Sequence, residues 1–241
     1  SMVILLKQSV LPESILIVDS STDEQSRLVA LELESSATAR NVRLDWVAAK
    51  TKGAAPQRNQ GALETDSPFL MFLDDDIFFE PLAMERIWDA AQSAVDVVGV
   101  TPTYLGDGYS PPGKFGRRFM AFLNSGQLES YAGRVLGPGF TRLPDASDAS
   151  GDVVEIDWMG TGCALYRRSV LPSPPFPGLF HGASLCEDLC LSLLAGRVGR
   201  LVNARTAVVV HAHEGGDHKH GRFRLAKMEL INRYYVMYRV L

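Results

Sequence analysis

Cysteine is scarce: Cys163, Cys186 and Cys190 are the only three in 241 residues, too few for a disulfide framework, and a chain this long buries a core without staples. A reducing compartment is therefore expected, the cytoplasm or the inner face of its membrane. Basic charge is not in excess either. Lys and Arg number 24 against 28 Asp and Glu, for a net charge of −4, which leaves no bulk electrostatic grip for nucleic acid. No run approaches the roughly 20 apolar residues of a membrane span. The start lacks the basic flank, apolar core and small-residue cleavage site of a secretory signal, and no repeat of about 20 to 50 residues occurs. With 46% apolar and 22% charged residues, disorder is excluded and one globular domain with a small-molecule partner remains.

What is present alternates. Ile15-Leu-Ile-Val-Asp19 and Phe69-Leu-Met-Phe-Leu-Asp74 are short apolar runs ending in carboxylates, the pattern of strands buried on both faces of a parallel sheet. Residues 55–65 between them predict a helix, with Pro56 tolerated in its first turn. A helix over 81–94 and a strand over 95–100 follow, so the first half alternates as a Rossmann-like α/β fold requires. Residues 106–151, rich in Gly, Pro, Ser and Asp, form a long excursion with one helix near 115–123. Then come a strand at 153–158, a helix at 184–195, a strand at 207–211 and a basic amphipathic helix from Phe223. That last helix packs on the domain or docks on a membrane surface.

The sharpest chemical feature is Asp74-Asp75-Asp76. If the strand continues through them, Asp74 and Asp76 face one way and Asp75 the other. Two carboxylates about 5 Å apart repel by about 3 kcal/mol at an effective dielectric near 20, so the pair suits a divalent metal; a solvated acidic turn is the plainer alternative. A calcium EF-hand is excluded, because Phe78 and Phe79 stand where that loop needs a ligand and a glycine. Asp19 ends the earlier strand and precedes Ser20, Ser21, Thr22 and Asp23, groups that hydrogen-bond a ligand or cap a helix. Arg58, in Gln57-Arg-Asn-Gln-Gly61, offers a fork for phosphate or for a nucleotide's polar edge, or is an ordinary surface charge.

Glu187-Asp188 opens a helix. Adjacent helical residues diverge by about 100°, so only one carboxylate points squarely into a pocket, as a general base or as a complement to the helix dipole. Cys186 and Cys190 read as core. The segment His211-Ala-His213-Glu214-Gly-Gly-Asp217-His218-Lys219-His220 holds four of the five histidines. His211 and His213 share a face if the strand extends through them, and that density points to one metal ligand.

In this order the pieces resemble the family 2 glycosyltransferases of the GT-A fold across nearly the whole chain: Ile-Leu-Ile-Val-Asp19-Ser-Ser-Thr-Asp23, Gln57-Arg58-Asn59-Gln-Gly61, Phe72-Leu-Asp74-Asp-Asp76, Glu187-Asp188-Leu-Cys-Leu, and a strand ending in His. Trp158-Met-Gly-Thr-Gly-Cys-Ala-Leu-Tyr-Arg-Arg168 is similar to the family's strand before the acceptor region. The resemblance implies one α/β domain with a mixed, mainly parallel sheet flanked by helices. About 1–105 would bind a nucleotide sugar, and about 106–241 would hold the acceptor and catalytic groups.

The resemblance further implies that Asp19, with Ser21, meets the base, Arg58 and Asp75 the nucleotide, and Asp74 the ribose. Asp76 would hold a manganese or magnesium ion on the diphosphate, with His211, or in its place His213, as second ligand. Asp188 becomes the catalytic base with Glu187 in reserve, and Trp158, Gly160, Thr161 and Gly162 shape the sugar or acceptor pocket. The activity implied is transfer from a UDP- or dTDP-linked sugar to a glycan or lipid-linked hydroxyl, as in cell-surface polysaccharide synthesis. A single base opposite the leaving group suits inversion, and a metal neutralises the departing diphosphate.

Two departures stand out. Family members open with an apolar strand ahead of the equivalent of Leu5-Leu-Lys-Gln-Ser9, where this chain has only Ser1 to Ile4, so residues ahead of Ser1 are expected to supply it. Ser192 stands where many relatives carry a basic residue. Two other readings compete: a metallo-β-lactamase-like hydrolase, whose His-x-His-x-Asp-His resembles His211 to His218 at a spacing two residues too long, and a non-catalytic binder of sugar nucleotides or glycans.

Overall fold

The computed structural model describes residues 1–123, 125–126, 131–144, 151–212 and 221–241. In chain order the elements are α1 (Met2–Leu5), β1 (Ser14–Asp19), α2 (Gln25–Thr38), β2 (Arg43–Ala48), α3 (Ala54–Leu63), β3 (Phe69–Leu73), β4 (Ile77–Phe79), α4 (Ala83–Gln92), β5 (Val97–Tyr104) and α5 (Lys114–Leu123). They continue with β6 (Val135–Leu136), β7 (Phe140–Thr141), β8 (Val153–Ile156), β9 (Cys163–Arg167), α6 (Glu187–Gly196), β10 (Arg200–His211) and α7 (Arg222–Arg239).

The main sheet has the order β3-β9-β5-β10-β4, with β8 also on β10. β9 is antiparallel to both β3 and β5, so those two point the same way, and β10 runs parallel to β5. Side chains alternate across the pleat and sort into two cores. Phe72, Val98, Ala164, Tyr166 and Leu201 pack with Leu189, Leu191 and Ala195 of α6, with Val236 of α7 and with Val240 just beyond it. Ile77, Val97, Val100, Cys163, Leu165 and Val202 pack on the other face with Ala83, Met84 and Ile87 of α4 and Leu5 of α1. Helix, sheet and helix thus form three layers.

Several boundaries differ from the sequence pattern for physical reasons. β5 runs on to Tyr104 instead of stopping at Val100; Pro102 is accommodated opposite Ala204, at the edge of a register irregularity in β10. β10 starts at Arg200, not Ala207, because buried Asn203 is satisfied inside the sheet, its Nδ2 donating to the Thr101 carbonyl at 3.1 Å. α6 starts at Glu187, not Ser184, since Ser184 and Cys186 have φ of 54° and 69° and cannot continue a right-handed helix. The strand at 153 ends at Ile156.

One difference is larger. The run at 15–19 predicts burial on both faces, yet every residue of β1 is only partly buried. Among the described residues β1 pairs with β2 alone, parallel, as a separate two-stranded sheet, and β3 stands at the edge of the main sheet. α3 bridges the two, since Gln57 Nε2 donates to the Val18 carbonyl at 2.8 Å while Arg58 reaches the turn after β3.

Candidate active site

The aspartate triplet does not extend the strand as the alternation argument supposed. β3 ends at Leu73, and Asp74, Asp75 and Asp76 make the turn into β4. The turn nevertheless sends two carboxylates inward. The Asp74 amide donates to the Gly162 carbonyl at 2.8 Å, which continues the β3–β9 ladder beyond the Leu73–Cys163 pair. Asp74 Oδ1 accepts Arg58 Nη2 at 2.6 Å, and Arg58 Nη1 donates to Glu187 Oε1 at 3.1 Å. The Arg58 side chain is only 14% exposed, so its fork is committed to two carboxylates from distant segments. Thr161 Oγ1 approaches the same Glu187 oxygen at 3.4 Å.

α3 and α6 meet here because their leading loops are stitched together. The Ala54 amide donates to the Gly182 carbonyl and the Ala55 amide to Ser184 Oγ. Gly53, at φ 135°, comes so close that a Cβ on it would lie 2.9 Å from the Gly182 nitrogen, a contact only glycine permits. Asn59 adds a two-way clamp, exchanging hydrogen bonds of 2.8 and 2.9 Å with the backbone of Phe176.

Asp76 meets His211 through strand register. β4 is antiparallel to β10 with Ile77 opposite His211, and the Ala212 amide donates to the Asp76 carbonyl at 3.0 Å. His211 Nε2 then lies 3.0 Å from Asp76 Oδ2. Among the described residues the other oxygen, Asp76 Oδ1, is buried without a hydrogen-bond partner, which is costly for a carboxylate unless a cation or donor completes it. Among the described residues no group of three or more His, Cys, Asp or Glu converges as a metal site. A carboxylate at the start of β4 and an imidazole at the end of β10 do fit an ion whose remaining ligands would come from a diphosphate and water. His213 lies outside the described residues, as do Asp217, His218 and His220.

The remaining candidates are more dispersed. Asp19, at the end of β1, accepts the Ser21 amide and hydroxyl at 2.8 and 2.7 Å and Trp46 Nε1 at 3.3 Å. Burial raises its pKa, but these hydrogen bonds outweigh that and hold the carboxyl below its ordinary value. Ser21 thus serves Asp19 rather than capping α2, where Asp23 Oδ1 takes the Gln25 amide instead. Asp75 is exposed. Trp158 donates to the Arg142 carbonyl at 2.8 Å and packs against the α6 core. A Cβ on Gly160 would meet nothing within 4 Å, whereas one on Gly162 would lie 3.2 Å from Asp74 Oδ2 and 3.4 Å from the Tyr104 hydroxyl. Ser192 is a core hydroxyl, bonded to the Met159 amide at 3.0 Å and facing Tyr166.

Glu187 and Asp188 diverge as helical geometry requires. Glu187 turns to Arg58, while Asp188 Oδ1 accepts its neighbour Leu189's amide at 2.7 Å. Burial, reinforced by the Asp188 charge and opposed by Arg58, pushes Glu187 up to about 8. Burial raises Asp188 as well. Tyr104, which the sequence pattern passed over, brings its ring to 6.2 Å from His211, edge-on; burial above all, then the neighbouring Cys163 and Asp74, raises its phenol. Its only signal in sequence is its place four residues past the expected end of a buried strand.

A sequence model described as glycosyl transferase family 2 matches residues 5–172. The chain belongs to glycosyl transferase family 2. The match spans Asp19, Arg58, Asp74 to Asp76 and Trp158 to Gly162, and ends before Glu187, Asp188 and His211. No curated protein matches in sequence. Solved structures resemble this family 2 domain in fold. A Pyrobaculum calidifontis mannosyltransferase in complex with GDP-Man and Mn2+ is 17% identical, with a TM-score of 0.61 over 99% of this chain and 59% of that one. GalNAc-T7 with UDP, GalNAc and Mn2+ is 12% identical, TM-score 0.58, over 88% and 40%. S. aureus TarS with UDP-GlcNAc is 14% identical, TM-score 0.54, over 90% and 55%. The family 2 domain therefore has the GT-A fold, and it spans about half the length of these relatives.

Proposed function

We propose that this domain transfers a sugar from a nucleoside-diphosphate sugar to a hydroxyl acceptor, with inversion at the anomeric carbon. The observation that carries the reading is the Asp76–His211 pair, whose second Asp76 oxygen is buried without a partner among the described residues, beside an Arg58 fork already held by Asp74 and Glu187. Asp76 and His211 would hold Mn2+, or Mg2+, and a bound ion would neutralise the charge that develops on the departing diphosphate. Imidazole ligation favours manganese of the two. UDP-sugar, GDP-Man and Mn2+ in the complexes of structural neighbours support this choice of donor class and metal.

Within that frame the first 105 residues serve the donor. Asp19 and Ser21 face the base, uracil or thymine, and Asp74, with exposed Asp75 beyond it, faces the ribose and the rest of the nucleotide. Arg58 holds Asp74 in place as much as it meets the nucleotide itself. The later half serves the acceptor, with Trp158 and the Gly160-Thr161-Gly162 turn shaping the sugar pocket. Asp188 takes the acceptor proton. Glu187 is the weaker candidate, because its carboxylate is spent on Arg58 and Thr161, and its part is to orient them. A glycan or lipid-linked hydroxyl, as used in cell-surface polysaccharide synthesis, is the acceptor class. The free cysteines support a reducing, cytoplasmic setting.

The test is release of nucleoside diphosphate from UDP-glucose, UDP-GlcNAc, GDP-mannose and dTDP-rhamnose, each with and without Mn2+. Metal-dependent turnover of at least one donor, increased by an added glycan or lipid-linked acceptor, is expected. No turnover of any donor, or two tightly bound zinc ions per chain, overturns the reading.

A further inference from the structure

α5 carries the inference. Its ten residues, Lys-Phe-Gly-Arg-Arg-Phe-Met-Ala-Phe-Leu, include three cations and no acid, in a chain whose net charge is −4. Phe115, Phe119 and Phe122 are 88%, 56% and 82% exposed. At 100° per residue these three fall within an arc of about 60°, so they form one stripe along the helix. Met120 and Ala121 are buried elsewhere on the helix, and Met120 anchors it against Tyr131 and Leu136. Lys114 and Arg118, both exposed, lie one turn apart on the flank of the phenylalanine stripe, with Arg117 beyond them.

We propose that α5 is an interfacial helix that docks this domain on an anionic lipid bilayer. Three phenylalanines side by side are poorly placed against water, and the level of the lipid headgroups receives aromatic rings while long basic side chains reach phosphate alongside. The local charge is what selects the occupant. A helix face with cations and no acid is complementary to an anionic surface, and the self-association that an aromatic stripe could also serve is an outcome of the test below. α5 begins ten residues after Tyr104, a chain length that spans at most about 35 Å, so docking holds the candidate active site close to the membrane surface. No helix among the described residues is long and apolar enough to cross a membrane. The inference stands whether or not the transfer reaction does.

Flotation of the whole chain with vesicles of phosphatidylcholine alone, and of phosphatidylcholine with about 30% phosphatidylglycerol, tests it. Flotation with the anionic vesicles, reduced several-fold by 0.5 M salt or by omitting phosphatidylglycerol, is expected. The triple variant Phe115→Ser, Phe119→Ser, Phe122→Ser should partition at least tenfold less with its melting temperature kept. Lys114→Gln, Arg117→Gln, Arg118→Gln should lose about tenfold or more on anionic vesicles only. Leu230→Ser with Tyr234→Ser on the exposed face of α7 should leave flotation unchanged. The proposal is overturned if the wild type does not float, if the phenylalanine variant floats like it, if only the α7 variant is impaired, or if the phenylalanines instead govern self-association in sedimentation.

Discussion

His211 Nε2 sits 3.0 Å from Asp76 Oδ2 although 135 residues separate the two. The contact is a product of topology: β10 crosses the sheet, shifts register between Ala204 and Val208, and ends antiparallel to β4, so that its last residue faces the start of that short strand. Removing either side chain should therefore impair the same property. His211→Ala and Asp76→Asn are each expected to raise the Mn2+ concentration needed for half-maximal turnover by about tenfold or more, measured by metal titration at saturating donor.

Arg58 joins Asp74 and Glu187, so its loss leaves the Asp74 carboxylate without its cation and the buried Glu187 carboxyl without its donor. Arg58→Ala is expected to destabilise the fold by roughly 2–4 kcal/mol, a fall in melting temperature of roughly 5–10 °C. Activity should drop by about a hundredfold. Arg58→Lys should recover little of either, since one ammonium cannot reproduce a fork held by two partners. Calorimetric melting with a parallel turnover assay checks both.

Glu187 gives stability a defined pH dependence. Its carboxyl is ordinarily near 4.5 and is pushed up to about 8 in the fold, chiefly by burial. Between those values the folded chain binds a proton that the unfolded chain has released, so this group's contribution is full below about pH 4.5 and is lost as pH rises toward 8. Glu187→Gln removes the titration and should flatten the fall in melting temperature across that window, while the amide oxygen still accepts from Arg58.

Gly162 and Gly160 separate close packing from open space. A Cβ at Gly162 would stand 3.2 Å from Asp74 Oδ2, so Gly162→Ala should push that carboxylate and raise the donor KM by roughly tenfold. Gly160→Ala meets nothing within 4 Å and should leave the melting temperature within about 1 °C of the parent. Melting curves and donor kinetics on the two variants make the comparison.

The fold class was legible because apolar runs and helical stretches alternate, and those signals are local. Helix α3 with Pro56 in its first turn, α4, α5 and α7 all lie where the pattern puts them. The miscalculations come from non-local pairing. Asn203 and Pro102 look like strand breakers until the neighbouring strand satisfies or accommodates them, and the half-exposed β1 looks like a central strand because sequence reveals hydrophobicity but not which edge is paired. At the site, the types and order of the acidic residues were visible. Which carboxylate Arg58 would hold was not, since the left-handed turn at Ser184 and Cys186 sets the phase of α6. Tyr104 was missed for the same reason that β5 was cut short.

The most direct test is calorimetric titration of UDP, GDP and dTDP into the wild type, Asp76→Ala and Asp188→Ala, each with and without Mn2+. The account predicts that Mn2+ strengthens binding of at least one nucleotide to the wild type and to Asp188→Ala alike. Asp76→Ala should lose most of that gain, by about tenfold or more, and Asp188→Ala should bind normally yet transfer no sugar. Equal and mild effects of the two substitutions on binding and transfer would contradict it.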